Sequence, residues 1–335
     1  MPDTLMPGTL EKLTFAAAAN AALRRSLTER PEVIVYGEDV ALPGGVFGVT
    51  KGLQAEFGDR VFDTPISEAA ILGSAIGAAM MGARPVVEIM WSDFMFVAFD
   101  QVINQASNVR YLSRGSVTAP LTIRTQQGMS DGACAQHSQS VEALLLHVPG
   151  IRVAMPSTAQ DAYDILLSAI WTDDPTVVIE NRTLYHGDRS EVSTGGPVEE
   201  PGRAHIVRPG SDLTLVTWGA MRHIAVEAAE SLVPLGFEIE VIDARWLSPF
   251  DYDTVVDSVN RTSKLAVLHE ATRTGGFGAE VIVGVQERGA RLTHVPLRIA
   301  TPDVRVPAAT SMMSTLRPSA ASVARSISSY LTALR

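Results

Sequence analysis

The chain has 335 residues, 46% of them apolar and 19% charged, with a formal net charge of −10. So much apolar material at so low a charge excludes global disorder, and an acidic chain without a basic run is a poor match for a nucleic-acid phosphate backbone. One cysteine, Cys134, excludes a disulfide framework and any multi-cysteine zinc or iron–sulfur site.

From the amino end, Asp3, Glu11 and Lys12 stand where a secretory leader would be basic, so the expected compartment is the cytoplasm. Phe15–Leu23 reads as an Ala-rich helix. Strands are predicted at Val33–Tyr36, Val61–Phe62, Pro85–Met90, Leu121–Arg124, Ile151–Ala154 and Val177–Glu180. Helical patterns fall between them at Glu68–Met81, Val97–Tyr111, Val141–His147 and Ala159–Trp171. Ile71–Met81 is the longest apolar run, but Gly73, Ser74 and Gly77 interrupt it, and it falls short of the roughly 20 residues of a membrane span. After a Gly- and Pro-rich stretch the alternation restarts. It runs through strand Leu213–Thr217, helix Met221–Leu232, strand Ile239–Ile242 and strand Leu265–Leu268. A helix from Ala279, strand Val295–Ile299 and helix Ser319–Leu334 complete it.

Strand–helix alternation with strands that do not alternate apolar and polar predicts parallel sheets covered on both faces. The expected fold is therefore α/β, with two three-layer domains and mainly parallel sheets. The first domain is placed at 1–190, a linker at 191–205 and the second domain at 206–335. Sites in such folds lie at the carboxyl ends of the strands.

There the most informative segment is Phe62-Asp63-Thr64-Pro65-Ile66-Ser67-Glu68, followed by Gly73 and Gly77. Thr64 and Pro65 are expected to cap and open a helix. Glu68 then sits in its first turn, where an acid serves the helix dipole; its flanks Ile66, Ala69, Ala70 and Ile71 predict a carboxyl withdrawn from water. The two glycines form a small-residue face that would let another backbone approach closely. Phe94, in Trp91-Ser92-Asp93-Phe94-Met95-Phe96, reads from composition as core, as do Phe96 and Phe99. His137 follows a Gly- and Ser-containing loop and has polar neighbours, as a site imidazole would. No Gly-x-Ser-x-Gly elbow accompanies it, and His147 lies too far along the chain for zinc-ligand spacing.

These segments resemble the beta subunit of the decarboxylase component of 2-oxo acid dehydrogenase complexes, a transketolase-like, thiamine-diphosphate-dependent family. The resemblance runs from Tyr36-Gly37-Glu38-Asp39-Val40 and Gly45-Val46-Phe47-Gly48 through the Thr64–Gly77 segment. It continues over Phe99-Asp100-Gln101 and Gln136-His137-Ser138-Gln139-Ser140 to Gly275-Gly276-Phe277-Gly278. It implies a transketolase-like pyrimidine-binding domain followed by a transketolase C-terminal domain. It further implies that Glu68 hydrogen-bonds the aminopyrimidine of the cofactor, that Phe94 stacks on that ring and that His137 assists acyl transfer to lipoamide. A structural potassium ion would lie on Leu121, Ala169, Ile170, Thr172 and Asp174. Thr172 and Asp174 replace side chains that are more often Asp and Asn.

The family's Gly-Asp-Gly element, which holds magnesium and diphosphate, is absent. Neither Gly58-Asp59-Arg60 nor Gly187-Asp188-Arg189 continues with glycine. The resemblance therefore implies an alpha subunit that supplies magnesium and the other half of the site, in a heterotetramer of two alpha and two beta chains. A lipoylated acyltransferase core is the further partner. The expected activity is oxidative decarboxylation of a 2-oxo acid, pyruvate first, with a branched-chain 2-oxo acid or acetoin as alternatives. A non-catalytic assembly subunit is the reading from another class. A nicotinamide dehydrogenase is disfavoured by the missing Gly-x-Gly-x-x-Gly.

Overall fold

The computed structural model describes residues 9–334. Internal contacts divide the chain into two units. One runs to Gln127 and resumes over Leu144–Pro201; the other comprises Gly128–Ala143 and Gly202 onward.

The first unit begins with strand β1 (Thr9–Leu13), helix α1 (Phe15–Glu29), β2 (Val33–Gly37), α2 (Leu53–Phe57) and β3 (Val61–Asp63). It continues with α3 (Glu68–Met80), β4 (Arg84–Ile89), α4 (Val109–Leu112) and β5 (Thr122–Gln127). After α5 (Glu142–Leu146) come β6 (Arg152–Ala154), α6 (Ala159–Trp171), β7 (Thr176–Asn181) and β8 (Ser190–Thr194). Within this unit the strands run parallel in the order β6-β7-β5-β4-β2-β3. Every position of β5 and β7 is buried, as expected of strands covered on both faces. Helices α1 and α6 pack against each other. Thr14 caps α1 by accepting from Ala17 N at 3.2 Å, and Thr158 with Asp161 closes a reciprocal capping box on α6. Antiparallel β1 and β8 form a separate ribbon.

The second unit contains β9 (His205–Arg208), β10 (Leu213–Thr217), α7 (Met221–Leu232), β11 (Ile239–Asp243), β12 (Trp246–Ser248) and α8 (Tyr252–Thr262). Then follow β13 (Leu265–Thr272), α9 (Gly278–Glu287), β14 (Leu297–Thr301), α10 (Thr310–Leu316) and α11 (Ala320–Ala333). Its sheet has the order β14-β13-β10-β11-β9, parallel except for the edge strand β9. Leu213, Leu215, Val241, Ala266 and Leu268 form a core with Ala225 and Ala229 of α7 and Val323 and Ile327 of α11.

The structure corrects the expected helix over Val97–Tyr111. The chain there is a succession of short turns: a 3₁₀ segment at Ser92–Ala98, a π turn at Gln101–Gln105, another 3₁₀ turn at Ala106–Asn108, and α4. Ser107 Oγ donates to Ile103 O, and Asn108 Nδ2 donates to Asn104 O at 3.1 Å, so side chains compete for helical carbonyls. No described helix is long and apolar enough to cross a membrane.

Candidate functional site

Strands β4, β2 and β3 are parallel neighbours, so their carboxyl ends share one edge of the first unit's sheet. β2 ends at Gly37, where a Cβ would stand 2.6 Å from the Glu88 carbonyl oxygen; glycine lets the two backbones meet. Gly37 O accepts from Thr64 N at 2.9 Å, and the Asp63 carboxylate accepts from Ala41 N at 2.7 Å. The turn out of β3 is thereby tied to the turn out of β2. The Tyr36 and Phe62 rings stack beneath, at 4.7 Å and 9°.

Glu68 opens α3 at this edge and is only 8% exposed. The expected cap is corrected: Ser67, without a side-chain cap bond, precedes the helix, and the Thr64 hydroxyl is buried without a hydrogen-bond partner among the described residues. Glu38 lies at the same edge. Burial pushes its carboxyl above the ordinary value, with the negative charges of Glu68 and Asp39 adding to the effect. One Glu38 oxygen is buried and unpartnered among the described residues. A carboxyl whose neutral form is favoured at a partly dry edge is a place where a proton can be held.

Phe94 follows β4 at the same edge. It is half-buried, in the 3₁₀ segment that packs against α3. Trp91 sets the direction of this turn from the left-handed region, φ 66°. Trp91 N donates to Gln126 Oε1 at 3.1 Å, and Trp91 O accepts from Phe94 N at 3.0 Å. Phe96 is corrected from core to surface: it is 40% exposed.

Behind the turn runs a line of buried charge that the sequence reading missed. Glu88 of β4 lies opposite Arg124 of β5, and Glu180 of β7 lies two residues further along, opposite Gln126. Arg124 donates to both oxygens of Glu180 at 2.8 and 2.7 Å and to Glu88 at 2.5 Å. Glu88 also accepts from Gln126 Nε2 at 3.0 Å, and Glu180 from the Tyr185 hydroxyl at 2.5 Å. Tyr185 stacks on Phe47 at 4.6 Å, Phe47 meets Trp91 edge-on at 5.5 Å, and Arg182 lies over Trp91 at 4.6 Å. The contacts close a circuit through Trp91, Gln126, Glu88, Arg124, Glu180, Tyr185 and Phe47. The signal for it was one charged residue inside each of three neighbouring buried strands.

His137 belongs to the second unit, in the half-buried loop that leads to α5. Within that unit Met129 N donates to Glu270 Oε1 at 2.6 Å. The same loop borders a cavity of about 470 Å³ lined by Ser138, Gln139, Glu270, Thr301, Asp303 and Arg305. No group of three or more His, Cys, Asp or Glu among the described residues is placed to hold a metal ion.

The transketolase pyrimidine-binding domain model matches residues 11–187, and the transketolase C-terminal domain model matches 202–323. The chain is 41% identical over 325 residues to the beta subunit of an acetoin:2,6-dichlorophenolindophenol oxidoreductase from Cupriavidus necator, covering 93% of this chain and 96% of that one. It is 41% identical over 300 residues to the pyruvate dehydrogenase E1 component subunit beta of Bacillus subtilis, covering 89% and 92%. The chain belongs to the transketolase-like E1 beta-subunit family. In fold it is similar to a split-gene transketolase solved as an inactive beta4 tetramer, with a TM-score of 0.78 at 23% identity over 96% of this chain and 99% of that one. For an E1 beta chain, then, Glu68 and Phe94 share the carboxyl edge of the pyrimidine-binding domain.

The residues set aside for potassium lie elsewhere, around the turn from α6 to β7. Leu121 O accepts from Thr176 N at 2.9 Å. Arg84 Nη1 donates to Ile170 O at 3.0 Å and to Thr172 O at 2.9 Å, and its Nη2 pairs with Asp173. Asp174 is held by Arg110 at 2.6 Å and Arg152 at 2.9 Å. Burial works to raise the Asp174 carboxyl, but hydrogen bonds from Arg152 and Arg110 bring it below the ordinary value. The carbonyls offered to a cation already carry one. At an effective dielectric of 20, a second positive charge 4 Å from a guanidinium meets a repulsion of about 4 kcal/mol. The residues present do not fit a potassium ion, and Ala169, the remaining candidate, is a buried position within α6.

Proposed function

We propose that this chain is the beta subunit of a pyruvate dehydrogenase, acting with an alpha subunit on thiamine diphosphate. The observation that carries the reading is the buried Glu68 at the start of α3, beside Glu38 with its unpartnered oxygen. That pair fits a protonatable nitrogen heterocycle placed at the sheet edge. Thiamine diphosphate supplies a nucleophilic carbon for decarboxylating a 2-oxo acid. Glu68 would hold the proton at the pyrimidine nitrogen, and the Phe94 ring would give the heterocycle a flat face. His137 serves as the proton donor or orienting group when the acyl group passes to a lipoyl arm.

The alpha subunit holds magnesium and the diphosphate, because no Gly-Asp-Gly element occurs here. The assembly is two alpha and two beta chains, served by a lipoylated acyltransferase core in the cytoplasm. Gly77 supports a partner: no atom among the described residues lies within 4 Å of a Cβ built there, while Met80 and Met81 beside it are 48% and 87% exposed. Acetoin is the second reading, favoured by the Cupriavidus relative, whose match covers 93% of this chain.

The test is the co-expressed alpha–beta complex carrying Glu68→Gln. Assembly should be retained, while thiamine-diphosphate-dependent turnover falls by about 10²–10⁴-fold; full turnover refutes the assignment. A panel of pyruvate, branched-chain 2-oxo acids and acetoin on the unaltered complex separates the substrates.

A further inference from the structure

Helix α6 ends at Trp171, and its final carbonyls have no helical donor ahead of them. A cation satisfies such carbonyls and favours the negative end of the helix dipole. Here the cation is part of the chain. Arg84 is the first residue of β4 and reaches across to Ile170 O, Thr172 O and the Asp173 carboxylate at once. Its Nε also stands 3.7 Å from Glu32. Arg110 and Arg152 complete the surround by taking one oxygen each of Asp174, and Arg152 N donates to Pro175 O at 2.9 Å. Arg84, Arg110 and Arg152, with Arg30 at 3.2 Å from Glu32, thus face Glu32, Asp173 and Asp174, and the negative charge at the turn is met without an added ion.

We propose that Arg84 is a built-in replacement for a monovalent metal ion at the 170–174 turn, so that this chain orders the turn without potassium. The guanidinium suits the task because its planar fork addresses two carbonyls and a carboxylate together and never loses its charge. The inference concerns ion use by the turn and is independent of the thiamine-diphosphate reading, which is tested by cofactor binding and turnover.

The experiment measures the unfolding midpoint of the full-length chain in potassium, sodium or choline chloride at equal ionic strength. The unaltered chain should give the same midpoint in all three, within about 1 °C. Arg84→Met should unfold several degrees lower in choline and sodium, and potassium should restore part of the loss by occupying the vacated carbonyls. A midpoint of the unaltered chain raised by potassium alone overturns the proposal, as does an Arg84→Met variant as stable as the parent in choline. If that variant fails to fold, crystals of the unaltered chain grown in rubidium chloride decide the matter. No anomalous peak beside the Ile170 and Thr172 carbonyls supports the built-in cation, and a peak there overturns it.

Discussion

Glu38 shows how one side chain can record the demands of a site. A carboxyl with its neutral form favoured stabilises the fold fully below its ordinary value of 4.5, and that contribution is lost as the pH rises through the higher folded value. At pH 8 the parent chain therefore bears the repulsion among Glu38, Glu68 and Asp39, and Glu38→Gln relieves it. We expect that variant to unfold about 2–4 °C higher than the parent at pH 8 and at nearly the same temperature at pH 4, by calorimetry. Turnover of the alpha–beta complex should fall in the same variant if the pair shares a proton. A gain in stability joined to a loss in rate is the mark of a residue held under electrostatic tension for function.

Among the elements, the most consequential is the charge line across β4, β5 and β7. Its three members are almost wholly buried, so removing one partner strands the others in a low-dielectric interior. Arg124→Met should cost about 3–5 kcal/mol in urea unfolding, and combining it with Glu88→Gln and Glu180→Gln should recover much of that loss. Because Gln126 ties the same line to Trp91, the single variant should also disorder the turn bearing Phe94. Strands β2, β4, β7, β10, β11 and β13 were legible in the sequence because buried parallel strands are largely apolar runs. The edge strands β1, β8 and β9 were not: they are short and largely exposed, and their pairing is decided by distant partners. Helix α8 escaped for another reason. Its Tyr252-Asp253-Thr254-Val255-Val256 start favours a strand by propensity, and the Asp251 cap, accepting from Thr254 N at 3.1 Å, overrides it. At the site, Glu68 could be placed from its strand–turn–helix setting. Glu38 and Arg84 could not, because their significance lies in what comes near them from strands and loops far along the chain.

For the molecule as a whole, the second unit carries an acid sensitivity of its own. His269 is fully buried, stacked on Trp218 at 5.5 Å and closed over by Gly276 and Gly278, where a Cβ would come within 2.6 and 2.7 Å of the ring. Burial lowers its pKa to about 4; the Ala271 backbone opposes that and the Arg298 charge assists it. A histidine depressed in this way contributes stability above its unfolded value near 6.5, and that stability drains away as the pH falls toward 4. The loss amounts to about 3 kcal/mol over that window. Denaturant unfolding followed by circular dichroism should show a midpoint falling between pH 7 and pH 5, and His269→Phe should flatten the dependence. The first unit presents a different vulnerability at the end of α3, where Met80 and Met81 are 48% and 87% exposed. Greasy ground of this extent is a debt while the polypeptide stands alone: copies made in excess of whatever settles on it will find one another, or a protease. Synthesis in step with that companion, rather than repair afterwards, is the economical answer, and a cell producing this chain unaccompanied should lose more of it to the insoluble fraction than one producing both.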